Sequence, residues 1–193
     1  MKEKTNAISN CSAILLRKSN AVEKAEAHGI FVAECYDKEG NLKWSDTIEN
    51  TVVTVGKNKA LDEFLAGAAY TVTGPFMGLI SSVGWSEILA ADTMAAHAGW
   101  TEAGDTNAPT YTATRKTCAW DAAAAGAKAL SAALAFVFTG GGTVKGAFLV
   151  FHTGAVNTID SAAGVLLSAG LFTGGDKVVA DTDTLNVSYE MSL

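Results

Sequence analysis

Cysteine, histidine and proline are scarce in this sequence, and no long apolar run interrupts it. Of 193 residues, three are cysteine (Cys11, Cys35 and Cys118), three histidine and two proline. The cysteines are odd in number, far apart and without a CxxC pair to suggest zinc or redox chemistry, so free thiols in a reducing compartment are expected. There is no Gly-x-Ser-x-Gly elbow, and three histidines leave little material for a Ser–His–Asp triad. The stretch Ala13-Ile14-Leu15-Leu16 stops at Arg17-Lys18. It is too short to cross a bilayer and lacks a small-residue cleavage pattern, so neither a membrane span nor a signal peptide is expected. Bases are outnumbered as well, 14 Lys and Arg against 20 Asp and Glu, for a net charge of −6. Nucleic acid is therefore not expected as the main partner, because neutralising phosphates needs clustered Lys and Arg.

What is there is apolar, small and punctuated. Hydrophobic residues make up 49% and charged residues 18%, enough for one domain to bury a core. Much of that apolar fraction is alanine, and only 8% of the chain is aromatic, which implies a thin, sheet-like interior. The charge is uneven. Residues 1–60 hold 9 bases and 8 acids, and residues 61–193 hold 5 and 12. The basic surplus sits at the front: Lys2, Lys4, Arg17 and Lys18 against Glu3 alone within residues 1–18. Residues 1–28 read as an N-terminal arm, and residues 29–193 as the domain. The apolar Ile14, Leu15 and Leu16 and the four arm bases are candidate interface residues, since such a segment suits an acidic, grooved partner.

From Gly29 the pattern turns to β. Ile30–Tyr36 is rich in β-formers, Asp37-Lys38-Glu39-Gly40-Asn41 supplies a turn, and Leu42–Ile48 alternates, so residues 30–48 form a hairpin. Asn50–Val55 reads as a third extended piece. Ala60, Leu61, Phe64 and Leu65 draw an apolar stripe on a short helix at 57–66 that Gly67 ends. Pro75–Ser81 is a strand, and residues 82–111 a long connection of the kind that serves function or an interface. Strands then follow at 112–120, 129–139, 143–153, 164–172 and 184–192. Ala122–Ala133 suits a helix on propensity alone, but Gly126 interrupts it and residues 130, 132, 134, 136 and 138 fit period two. The architecture expected is mainly β, an antiparallel sandwich of about eight strands with the jelly roll as one form of it, one short helix and the arm.

Chemistry-bearing residues are few. Asp92, His97 and Glu102 could ligate a metal or trade protons, yet their spacing of five does not repeat on a helical face as HExxH does. The structural reading is preferred: Asp92 caps the turn at 93–95, His97 bonds backbone across the loop, and Trp100 anchors the loop to the sheet. Trp100 is expected to matter for stability far more than Glu102. Gly140-Gly141-Gly142-Thr143 lacks the Lys-Ser/Thr of a phosphate loop and reads as a hairpin turn. Arg115-Lys116, the compact basic pair of the acidic half, reads as a solvated strand edge or, more sharply, an intersubunit ion pair. Trp44, Trp85, Trp100 and Trp120 would be the stacking platforms of a carbohydrate- or receptor-binding module, although such residues more often anchor core and loops.

Several stretches carry a resemblance: Asp37–Trp44, Asn50–Val53, Gly78-Leu79-Ile80, the run Asp92-Thr93-Met94-Ala95-Ala96-His97-Ala98-Gly99-Trp100-Thr101-Glu102, Arg115, Val144–Leu149, Leu171–Asp176 and Asp183–Tyr189. With these, residues 29–193 resemble a family of small virion proteins encoded by tailed bacteriophages and prophages. The resemblance implies a non-enzymatic structural role without cofactor or metal, as a capsid cement or decoration protein. Its expected partners are the major capsid protein and neighbouring copies of itself in a homo-oligomer, with no nucleic acid and no membrane. Its place would be the virion, after synthesis in the bacterial cytoplasm. A tail or baseplate component is the alternative. One departure stands out: Asp181-Thr182-Asp183-Thr184 puts Thr182 where such proteins often carry Gly before the Asp.

Overall fold

The computed structural model describes residues 27–66, 73–112 and 114–192, with side chains of the helix described as far as Leu61. The expected hairpin is there as β1 (His28–Tyr36) and β2 (Leu42–Val52). Asp37 builds its turn, accepting through Oδ1 from the backbone N–H of Glu39 and Asn41 (3.0 and 2.8 Å), while Gly40 supplies the positive φ of 85°. Asn50–Val52 is the end of β2 and not a separate strand, because α1 (Thr54–Ala66) starts three residues before the expected position. The two described members of the expected stripe do not make the helix contact. Leu61 is 55% exposed and Ala60 exposed, whereas Gly56 is buried against the Leu167 carbonyl, where a Cβ would not fit. Phe64 and Leu65 lie outside the described side chains.

The remaining strands are β3 (Phe76–Ser81), β4 (Lys116–Thr117), β5 (Ala127–Ala129), β6 (Leu134–Val137), β7 (Gly142–Phe151), β8 (Val165–Phe172), β9 (Lys177–Val179) and β10 (Thr184–Ser192). The expected strands at 112–120 and 129–139 are shorter than read. Ala125 and Gly126 turn the chain at positive φ (51° and 79°), and Ser131–Ala133 are exposed and unpaired with β10. All pairings between these strands are antiparallel, in the order β4-β3-β7-β8-β2-β1-β10-β5, with β6 also on β10 and β9 on β7. Among the described residues the fold is thus mainly β and antiparallel with one short helix, its strands joined in a single sheet that curls on itself. The ends of the curl meet through backbone bonds from Thr112 N to Val137 O (2.8 Å) and Ser131 N to Ala119 O (3.0 Å).

Curling buries the inner face of the sheet, and the loop after β3 buries part of the outer one. Phe31, Met77, Leu79, Leu149, Phe136, Phe138, Leu185 and Tyr189 fill the inside, and a second cluster of Ile80, Phe148, Val150, Leu166 and Ala169 lies on the outside under Met94 and Trp100. β7 is the central strand of both, with Ala147, Leu149 and Phe151 inward and Phe148 and Val150 outward. Its unbroken apolar run is what burial on two faces requires.

Two turns carry testable consequences. Thr182 adopts φ +70°, a region costly for a β-branched residue, while the following Asp183 is buried, accepts from Ala180 N (2.7 Å) and pairs with Lys43. Glycine relieves strain of about 1–3 kcal/mol and loses about 0.4–1 kcal/mol through the unfolded state. Thr182→Gly is therefore expected to stabilise the protein by about 1 kcal/mol in denaturant titration, and a destabilisation would contradict it.

Asp46 holds β2 to the 173–177 turn. Its carboxylate accepts from Thr47 N (2.7 Å), Thr173 Oγ1 (2.8 Å) and Gly174 N (2.9 Å) and lies 2.6 Å from Lys177 Nζ. Partial burial alone would raise its pKa, but the Lys177 ammonium and these donors outweigh burial and bring it from 3.8 down to about 2. A carboxyl depressed in the folded state lends stability above its unfolded pKa and loses it as pH falls through the folded one. Asp46→Asn should accordingly flatten the loss of stability between about pH 4 and about pH 2, and an unaltered acid limb in thermal melts would refute this.

Candidate functional site

The connection after β3 is built, not loose. It returns along the β3 edge, with Ser81 N bonded to Thr101 O and Ala103 N to Leu79 O, both 2.9 Å. Gly99 O accepts from Ser86 N and Glu87 N (2.7 and 3.1 Å), which gathers the outgoing and returning arms. Trp100, 1% exposed, is the pin. Its ring centroid lies 5.1 Å from that of Phe148 on β7, His97 stacks on it at 4.0 Å, and Nε1 donates to Asp92 Oδ2 at 2.9 Å. His97 Nδ1 donates to the Trp100 carbonyl (3.0 Å), a bond within the loop rather than across it. Asp92 caps backwards: the same Oδ2 accepts from Leu89 N (2.9 Å), while Thr93 Oγ1 and O close the following turn by accepting from Ala96 N.

Two residues further on, Glu102 turns inward and meets Arg115. Arg115 Nε and Nη2 donate to Glu102 Oε1 and Oε2 at 2.9 and 2.7 Å, a bidentate pair with exposures of 3% and 1%. The remaining donors are used too, Nη1 to Val156 O (3.2 Å) and Nη2 to Ser161 O (2.8 Å), and Asp160 N donates to Glu102 Oε2 (2.8 Å). Burial pushes the Glu102 carboxyl above its ordinary range against the opposing pull of Arg115 and the Asp160 amide. The guanidinium lies 5.4 Å from the Phe148 ring centroid. Gly78 on β3 leaves the room: a Cβ there would collide with Phe148 and crowd Glu102 Oε1. One ion pair thus ties the returning loop, the 114–115 segment and the 156–161 loop to the outer face of β3 and β7.

This placement corrects several expectations. Arg115 is not a solvated edge or an intersubunit cation; its charge is buried and satisfied within the chain. Lys116 is no free surface base either. Its Nζ donates to Thr112 O (3.1 Å) and lies 5.7 and 5.5 Å from the Tyr111 and Phe136 ring centroids, where burial lowers its pKa. Glu102, read as secondary to Trp100, is a buried member of the same cluster. Asp92, His97 and Trp100 meet at one point on the loop, but Asp92 and Glu102 serve different partners. Among the described residues no group of three or more His, Cys, Asp or Glu could hold a metal. Lys2, Lys4, Ile14, Leu15, Leu16, Arg17, Lys18 and Cys11 lie outside the described residues.

Cys35 and Cys118 are buried free thiols, with burial foremost pushing their pKa to about 11 and about 12, so both stay protonated. Of the tryptophans read as stacking platforms, Trp100 is buried, while Lys177 covers the Trp44 ring at 5.6 Å and Lys145 the Trp85 ring at 5.0 Å. No helix among the described residues is long and apolar enough to cross a membrane. The sequence matches no protein-family model and no curated protein.

Proposed function

We propose that the protein is a structural component of a tailed-bacteriophage virion, a capsid cement or decoration protein that binds the major capsid protein shell and stabilises it without catalysing a reaction. One observation carries the reading: Gly78, Asp92, His97, Trp100, Glu102, Arg115 and Phe148, scattered along the stretches that resemble phage virion proteins, converge on one patch of the sheet. There Trp100 bonds to Asp92 and Arg115 to Glu102, and both Trp100 and Arg115 pack on Phe148. A cluster that satisfies its own charges fixes the shape of the loops around it, which is what a clamp between shell subunits needs.

Peptide counting by mass spectrometry of purified virions tests the proposal. A cement protein should appear in an amount comparable with the major capsid protein, and full-length chain added to shells lacking it should raise their melting temperature. An amount far below that of the capsid protein would assign it to the tail or baseplate, and its absence from particles would sink the reading.

A further inference from the structure

The two halves of the outer sheet surface differ. Over β3, β7 and β8 the 82–101 loop covers a buried apolar cluster. Over β2, β1 and β10 no described element covers the outer face: Ile30 and Val32 are 49% and 44% exposed, and Glu34, Thr47, Glu49 and Glu190 are exposed around them. Register puts Ile30 between Glu49 and Glu190, Val32 between Thr47 and Ser188, and Glu34 between Ser45 and Asn186. These three rows hold three carboxylates and no Lys or Arg. Where the two halves meet, a cleft opens between Glu49 on β2 and Trp85 and Glu87 on the loop, floored by Ala169 and Gly170. Lys145, over Trp85, is already paired with Asp176 at 2.7 Å.

We propose that this face and its cleft receive the basic N-terminal stretch, residues 2–18, of a second copy of the chain. Charge complementarity argues for it. That stretch carries Lys2, Lys4, Arg17 and Lys18 against Glu3, and it sets Ile14-Leu15-Leu16 beside the bases, as the face sets Ile30, Val32 and Trp85 beside its acids. An exposed apolar stripe rimmed by one sign of charge is the ordinary form of an interaction surface. β1 begins at His28, opposite Ser192 at the end of the sheet, and the stretch of residues 2–26 can span at most roughly 90 Å, a length that reaches the same face of a neighbouring copy. The inference rests on the virion reading only for a supply of closely spaced copies.

Zero-length carbodiimide cross-linking of full-length protein, mixed from unlabelled and ¹⁵N-labelled copies, tests it. Amide cross-links from Lys2, Lys4 or Lys18 to Glu34, Glu49, Glu87 or Glu190 should join light to heavy copies. Cross-links confined to one copy, links only to other carboxylates, or no self-association at all would overturn the proposal. The variant Glu34→Gln/Glu49→Gln/Glu190→Gln alters exposed side chains and should keep its melting temperature. Its self-association in sedimentation velocity should weaken about tenfold at low salt, and unchanged association also overturns the proposal. Copies that associate through this face in a protein absent from virions would uphold the inference and sink the virion reading; particle binding without these cross-links would do the reverse.

Discussion

Glu102→Ala is expected to destabilise the protein by about 3–5 kcal/mol, a large part of the 5–15 kcal/mol that holds a typical domain folded. The cost arises less from the lost attraction than from what stays behind. Arg115, buried with its guanidinium on Phe148, would keep its charge, since arginine does not deprotonate in proteins, and would face a cavity where its bidentate acceptor was. Asp160 N would lose its acceptor too. Because ionising a buried carboxyl is itself costly here, the pair as a whole contributes far less than either single deletion removes. The double variant Glu102→Leu/Arg115→Met should therefore cost clearly less than the sum of its single variants in a double-mutant cycle read by denaturant unfolding. Glu39→Ala, which removes an ion pair with exposures of 69% and 58%, is the control and should lie within experimental scatter. If Glu102→Ala behaves like Glu39→Ala, the buried pair does not hold the loops.

Much of the fold was legible because alternation leaves a strong mark when one face of a strand is wet. β1 alternates exposed and buried through eight residues, and the turn at Asp37–Asn41 carries its own chemistry, so the hairpin could be placed from sequence. β7 was legible by its continuous apolar run. β9, three residues long, is too short to show a period, and the 112–139 region was overextended because exposed alanines fit either phase of an alternation. The site was half visible. Trp100 was found because a large aromatic side chain in a polar loop needs a place to bury. The Glu102–Arg115 pair was not found, since thirteen positions of irregular chain separate its members and the neighbouring Lys116 made Arg115 look like part of a surface pair. Gly78 held the missing signal. A glycine inside an apolar strand marks something pressed against the backbone, and here that is the Phe148 ring with Glu102 beside it.

Trp100→Ala should cost about 3–5 kcal/mol, in the same range as loss of Glu102, and the two changes should leave different marks. Removing the indole takes away its contact with Phe148 and the stacked His97 ring, opens the outer cluster of the sheet, and deprives Asp92 Oδ2 of one of its two donors. Those partners all belong to the loop or to the strand beneath it. Hydrogen exchange should therefore quicken at Ser86, Glu87 and Asp92, whose amides are bonded within the loop, before it quickens in β1 or β10 on the other half of the sheet. Trp100→Phe keeps most of the ring contact and gives up the bond to Asp92, so it should recover more than half of the loss. A Trp100→Ala protein that unfolds at the parent denaturant midpoint, with loop amides exchanging at the parent rate, would show that the backbone bonds to Gly99 and Thr101 hold the connection without the indole.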